Sequence, residues 1–139
     1  MFLLDTNVVS ELRKISLGRA DANVTGWSKR HDPDDLYISV ITVHELEVGV
    51  LRLTRRDKVQ GDRLRKWLDI SLMPAFAGRI IPVDTVVALR AARFQIPNPH
   101  PIQDGLIAAT ALVHGMTVVT RNVGDYAGTG VAVLNPWVG

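Results

Sequence analysis

Hydrophobic positions along this chain follow two periods. Residues 2–4, 36–40, 79–83, 116–120 and 131–134 are short apolar runs of strand length. Between them, apolar residues recur three and four apart: Val8, Val9 and Leu12; Val24 and Trp27; Leu46, Val50 and Leu53; Leu64, Trp67, Leu68 and Leu72; Val87 and Leu89; Ile102, Leu106, Ala109, Leu112 and Val113. The order reads βα, α, βα, α, α, βα, βα, β. That alternation predicts an α/β fold with a central parallel sheet of about four to five strands, covered by helices on both faces.

Polar residues mark the boundaries. Asp5-Thr6-Asn7 opens the first helix, and Asp, Thr and Asn are all good N-caps. Residues 14–20 read as a loop, Asp21 caps a helix running to about Arg30, and residues 31–35 form a turn. Thr42-Val43-His44-Glu45 has the spacing of a capping box, in which Glu45 folds back on the cap. Gly49, one turn on, suggests close approach to a neighbouring helix. Residues 54–61 break the next stretch into two helices, the second spanning 62–72 and ended by Pro74. Pro82 argues for an edge or a strand end in the third strand, and Asp84 or Thr85 caps the helix after it. Residues 97–101 form a stiff loop, in which His100 reads as a surface histidine within reach of a substrate. A helix over Ile102–His114 follows, stopped by Gly115, and His114 suits its C-terminal dipole.

Composition narrows the function classes. The chain has 139 residues, 47% hydrophobic and 22% charged, as expected for one soluble globular domain. It contains no cysteine, which excludes disulfides, thiolate metal sites and a cysteine nucleophile. No apolar run approaches the ~18 residues that span a bilayer. The opening residues carry no signal-peptide pattern, so the expected location is cytoplasmic, away from membranes. Residues 51–66 hold seven basic side chains against two aspartates, a local excess of five on a chain of net charge +2. Such a basic arm suits a polyanion partner or a solvated helical face.

Four acids change the picture. Asp5, Glu45, Asp104 and Asp125 each follow a predicted strand or open a predicted helix at one edge of the sheet. In open α/β sheets, ligands bind beyond the carboxyl ends of the strands. Acids clustered there raise one another's pKa unless a cation offsets them. Oxygen-only ligands favour Mg²⁺ or Mn²⁺ over zinc, and one or two such ions suit phosphodiester hydrolysis.

The segments bearing these acids resemble the motifs of the PIN-domain nucleases, and within them the VapC and FitB toxins of bacterial toxin–antitoxin pairs. They are Phe-Leu-Leu-Asp5-Thr6-Asn7, the run Ser39 to Leu46 containing Glu45, Asp104-Gly-Leu-Ile-Ala-Ala-Thr-Ala, and Thr120-Arg121-Asn122-Val-Gly-Asp125-Tyr126. The resemblance covers nearly the whole chain. It implies a PIN-like α/β/α sandwich forming a single nuclease domain over 1–139. It implies an endoribonuclease dependent on Mg²⁺ (or Mn²⁺), cutting tRNA or another structured RNA. It also implies a VapB/FitA-like antitoxin that plugs the site, DNA contact only through that antitoxin, and a toxin homodimer. The apolar surplus of residues 86–94 and the loop 97–101 are the expected dimer surface.

By the same resemblance, Asp5, Glu45, Asp104 and Asp125 are the catalytic acids. Asp5 and Asp104 are the principal metal ligands and Asp125 contributes to a second ion. Asn7, Thr120 and Asn122 orient ligands or water. Arg52, Arg55, Arg56, Arg63 and Arg65 are expected to contact RNA or antitoxin. Two residues depart from the pattern: Asn122 stands where aspartate is common, and Tyr126 where phenylalanine is commoner. A PIN fold that only binds RNA or an antitoxin is an alternative. A HAD-type phosphatase also opens with Asp-Thr-Asn after a strand, but that chemistry needs a second aspartate where Asn7 stands.

Overall fold

The computed structural model describes residues 1–138; Gly139, the last residue of the expected domain, lies outside them. Five short strands form one sheet: β1 (Phe2–Leu4), β2 (Leu36–Ser39), β3 (Ile80–Ile81), β4 (Thr117–Val119) and β5 (Val133–Leu134). Their order is β3-β2-β1-β4-β5, and every pairing is parallel. β1 is therefore central, paired through Leu3↔Tyr37 on one side and Leu3↔Val118 on the other. The chain steps from β1 to β2 and β3 on one side, then returns to β4 on the other. The gap between the ends of β1 and β4 is thus the switch point at which α/β folds hold ligands.

Alternation of side chains along the strands divides the core. Leu4, Ile38 and Val119 pack with Val8 and Val9 of α1 (Thr6–Arg13), Trp27 of α2 (Ala22–Lys29), and Leu46 and Val50 of α3 (Val40–Arg56). Leu3 and Val118 face the opposite side, against Ile107, Ala108 and Ala111 of α7 (Ile102–His114). A third apolar cluster joins α7 to Val87 and Ala91 of α6 (Thr85–Ala92). The result is the expected α/β/α sandwich with a parallel sheet, and α7 has the bounds that periodicity predicts. Gly115 ends α7 in the left-handed conformation at φ 68°, where a Cβ would be strained.

Four local expectations are corrected. α3 starts at Val40, capped by Ser39, whose hydroxyl accepts from the Ile41 N–H at 3.0 Å. Thr42 is therefore inside the helix and fully buried, so the Thr42–Glu45 capping box does not form. The break after α3 is a single residue, Asp57, which caps α4 (Lys58–Lys66) four residues earlier than expected. Pro74 does not end the helical stretch. The chain runs from α4 through a π-helical segment, Trp67–Leu72, into one further turn, α5 (Met73–Ala75), where proline sits at an early position that needs no N–H donor. The close helix–helix approach is at Gly61 rather than Gly49. A Cβ on Gly49 would meet nothing within 4 Å, whereas one on Gly61 would lie 2.4 Å from the Thr54 Cα.

Candidate active site

Asp5 stands at the carboxyl end of the central strand and is the N-cap of α1. Its own N–H donates to the Val119 carbonyl at 2.9 Å, which fixes it beside the end of β4. The side chain is 8% exposed and accepts three hydrogen bonds. Oδ1 takes the Thr6 N–H at 2.8 Å, and Oδ2 takes the Thr120 hydroxyl at 2.8 Å and the Tyr126 hydroxyl at 3.0 Å. Thr120 is itself held, accepting from Asn7 Nδ2 at 3.3 Å and the Asn122 N–H at 3.0 Å. Asn7 Oδ1 accepts from the Arg121 N–H at 3.2 Å, tying the loop after β4 back to α1.

Asp104 lies in the first turn of α7 and is half-buried. Burial raises its pKa above the ordinary aspartate value, and the charges of Asp125 and Asp5 raise it further. Glu45 is the sixth residue of α3, one turn deeper than the sequence suggests. Helical side chains lean toward the N-terminus, and glutamate is one methylene longer than aspartate, so Glu45 still acts on the same edge. Its pKa is raised by burial first, then by the Asp5 charge, with a smaller contribution from Asp104; the nearby Thr6 hydroxyl offsets part of this. Asp125 is exposed, on a 3-10 turn over Val123–Tyr126. His100 is half-buried and anchors that turn: its Nε2 lies 2.8 Å from the Asp125 carbonyl oxygen.

The structure thus brings Asp5, Glu45 and Asp104 within electrostatic reach of one another, with Asp125 beside Asp104. Asn7, Thr120 and the Asn122 backbone form the polar frame around Asp5. Among the described residues, no three acidic or histidine side chains stand close enough to grip an ion as they are placed. The donor set is nonetheless all hard oxygen. Burial first, and then the neighbouring negative charges, raise Glu45 and Asp104; a hard divalent cation would offset both, so the residues fit one.

The basic arm is divided by its own salt bridges. Arg52, Arg55, Arg56 and Arg63 are exposed. Arg65 instead makes a bidentate pair with Glu47, at 2.7 and 2.6 Å, and a longer contact of 3.4 Å with Asp69. That pairing lowers the pKa of Glu47. Arg65 thereby joins α4 to α3, with its side chain still partly exposed.

Sequence reasoning gave Tyr126 no role beyond packing. Its ring lies in the core beside α7, 3% exposed, and the Asp5 bond meets the need of its hydroxyl. Burial, then the Asp5 and Asp104 charges, raise its pKa strongly. The legible signal was a hydroxyl at a position otherwise suited to phenylalanine, since a buried phenol needs a partner.

Comparison with known proteins places this arrangement. The PIN domain family pattern matches residues 2–124. The chain is 41% identical over 143 residues to Toxin FitB of Neisseria gonorrhoeae, covering 99% of each protein. It is 35% identical over 144 residues to VapC ribonuclease Y4jK of Sinorhizobium fredii, covering 99% of this chain and 98% of that one. Its fold overlays the structure of FitAcB from Neisseria gonorrhoeae with a TM-score of 0.88, at 38% identity and 99% coverage of both chains. It overlays FitAB bound to an IR36 DNA fragment with a TM-score of 0.85, at 39% identity, covering 99% and 96% of the two chains. With a central acid at the switch point of a parallel sheet and these relatives along its full length, the chain belongs to the PIN-domain family, in the branch that holds the FitB and VapC toxins.

Proposed function

We propose that residues 1–139 form one nuclease domain, a toxin that cuts RNA internally in the presence of Mg²⁺ (or Mn²⁺). The observation that carries this is the cleft itself: a carboxylate held by three donors at the centre of the sheet, with two further acids raised by burial and mutual repulsion. Asp5 and Asp104 would hold the ion, and Asp125 would support a second. When bound, such an ion polarises the phosphate and eases ionisation of the attacking water.

The chain's own residues set the rest. Thr120, Asn7 and Tyr126 fix the rotamer of Asp5. Glu45, raised by burial and then by the Asp5 charge, keeps a proton more readily than an ordinary glutamate and would serve as the proton-exchanging group. An acidic cleft repels RNA, and the exposed Arg52, Arg55, Arg56 and Arg63 counter that repulsion. The RNA is tRNA or another structured RNA.

The relatives' titles name toxin–antitoxin complexes, one of them bound to DNA, which supports a VapB/FitA-like antitoxin and DNA contact through it; an antitoxin that blocks the cleft and a toxin homodimer are part of the proposal. No helix among the described residues is long and apolar enough to cross a membrane, in keeping with a cytoplasmic toxin. The test is cleavage of labelled structured RNA with Mg²⁺ or Mn²⁺, with EDTA, and with Asp104→Asn. Metal-dependent internal cleavage that Asp104→Asn abolishes supports the proposal. Retention of RNA without cleavage identifies a binding module instead, and release of inorganic phosphate from small phosphomonoesters identifies a phosphatase.

A further inference from the structure

An ionised carboxylate offers about four lone-pair positions, two on each oxygen. On Asp5, three are already taken. One on Oδ1 receives the Thr6 N–H, and both on Oδ2 receive the Thr120 and Tyr126 hydroxyls. Neither hydroxyl is free to turn away. Thr120 Oγ1 already accepts two hydrogen bonds, so its proton is committed to Asp5. Tyr126 is buried, and turning its O–H elsewhere would leave a buried donor without a partner.

We propose that Tyr126 is a positioning residue that closes Oδ2, leaves Asp5 one free lone pair on Oδ1, and so biases the cleft toward small divalent ions over Ca²⁺. The proposal rests on reading the cleft as a divalent-ion site. Ca²⁺ takes six to eight oxygens and readily uses both oxygens of one carboxylate. Mg²⁺ demands a near-octahedral shell in which a carboxylate gives one oxygen and water fills other places. An Asp5 that can offer only Oδ1 suits the second kind of ion and handicaps the first. Phenylalanine at 126 would keep the ring in the core but free a lone pair on Oδ2, opening two-oxygen chelation and loosening the carboxylate's orientation.

The experiment is calorimetric titration of wild type, Tyr126→Phe and Asp5→Asn with MnCl₂ and, separately, CaCl₂. Thermal unfolding and near-ultraviolet circular dichroism confirm that each variant is folded. Tyr126→Phe is expected to weaken Mn²⁺ binding about tenfold, the usual scale for losing a hydrogen bond behind a ligand, while Ca²⁺ binding holds or tightens. The Mn²⁺/Ca²⁺ affinity ratio therefore falls. A purely packing role for Tyr126 would move both ions together. A ratio within about twofold of wild type, against that tenfold scale, overturns the proposal if Asp5→Asn has lost Mn²⁺ binding. Wild-type Mn²⁺ binding by Asp5→Asn overturns the cleft reading and this proposal with it. If Tyr126→Phe does not fold, Thr120→Val opens the other lone pair of Oδ2. The same fall in ratio is expected there, and an unchanged ratio counts equally against the proposal.

Discussion

Asp5→Asn should destabilise the metal-free protein even though it removes a charge from an acidic cluster. The amide oxygen can keep the cap bond to the Thr6 N–H, since asparagine caps helices as well as aspartate does. The amide nitrogen then replaces Oδ2 and faces two hydroxyls that both donate to that position at 2.8 and 3.0 Å. Thr120 Oγ1 is already accepting from Asn7 and Asn122, so it cannot take a third donor. Tyr126 can turn to accept, but its proton then points into a core where the residue is 3% exposed. Two hydrogen bonds to a charged acceptor at about 1.5 kcal/mol or more each are lost, a cost of about 3 kcal/mol. Relief of repulsion with Glu45 and Asp104 returns on the order of 1 kcal/mol across a partly hydrated cleft. The net loss of about 2 kcal/mol should lower the thermal midpoint by about 7 °C for a chain of this length. Urea and thermal unfolding in EDTA at pH 7 measure it. A variant as stable as wild type, or more so, would refute the hydrogen-bond accounting and show that charge repulsion dominates at Asp5.

Five further outcomes are expected. Asp104→Asn, lacking such a frame, should abolish cleavage by removing a direct ligand while leaving metal-free stability unchanged or raised; this is read by RNA cleavage and unfolding in EDTA. Because the pKa values of Glu45 and Asp104 are raised in the folded state, their contribution to stability is present at low pH and lost as pH rises through those values. The stability deficit of wild type against a Glu45→Gln/Asp104→Asn variant should therefore shrink on acidification from pH 7, and paired urea titrations across that range check it. Replacing Arg55 and Arg56 by alanine should reduce the salt slope of RNA binding by about 1.4, whereas Arg65→Ala should change it less because Glu47 neutralises that side chain; a filter-binding series in KCl separates them. Asn122→Asp should tighten a second Mn²⁺ in calorimetry, and Leu89→Glu, on a residue 68% exposed beside Val86 at 59%, should shift sedimentation toward monomer by about tenfold or more in concentration.

Where local chemistry decided the outcome, the sequence was readable. Ile102–His114 has an apolar stripe and a terminal Gly115, and both belong to the helix itself. Asp5, Asp21 and Asp84 cap the helices that follow them. The errors arose where a distant partner decides. Ser39 and Thr42 offer comparable caps, and the choice falls to Ser39 because Thr42 is buried, 3.2 Å from the Thr6 hydroxyl. Gly49 and Gly61 look alike in sequence, but only the antiparallel packing of α3 on α4 brings Thr54 against one of them. Arg65 reads as one basic residue among seven until Glu47, eighteen positions away, is seen to hold it. The four acids could be listed from the chain, yet their coupling required the β1–β4 pairing, which joins residues more than a hundred positions apart.

That pairing also has a consequence in time. β1 is synthesised well before β4, so half of its hydrogen-bonding edge waits for Thr117–Val119. Asp5 waits longer, for Thr120 and then Tyr126. At about 5–20 residues per second, a ribosome would carry Asp5 and Glu45 for several seconds before the groups that organise them exist. Closing so long a loop is also entropically slow, because the contacts that reward it are non-local. A partly made or prematurely released chain therefore carries the acids without the frame. On the proposed reading, the cleft cannot act on RNA until Tyr126 has been made and folded back onto Asp5, so its activity follows the synthesis of its first acid by seconds.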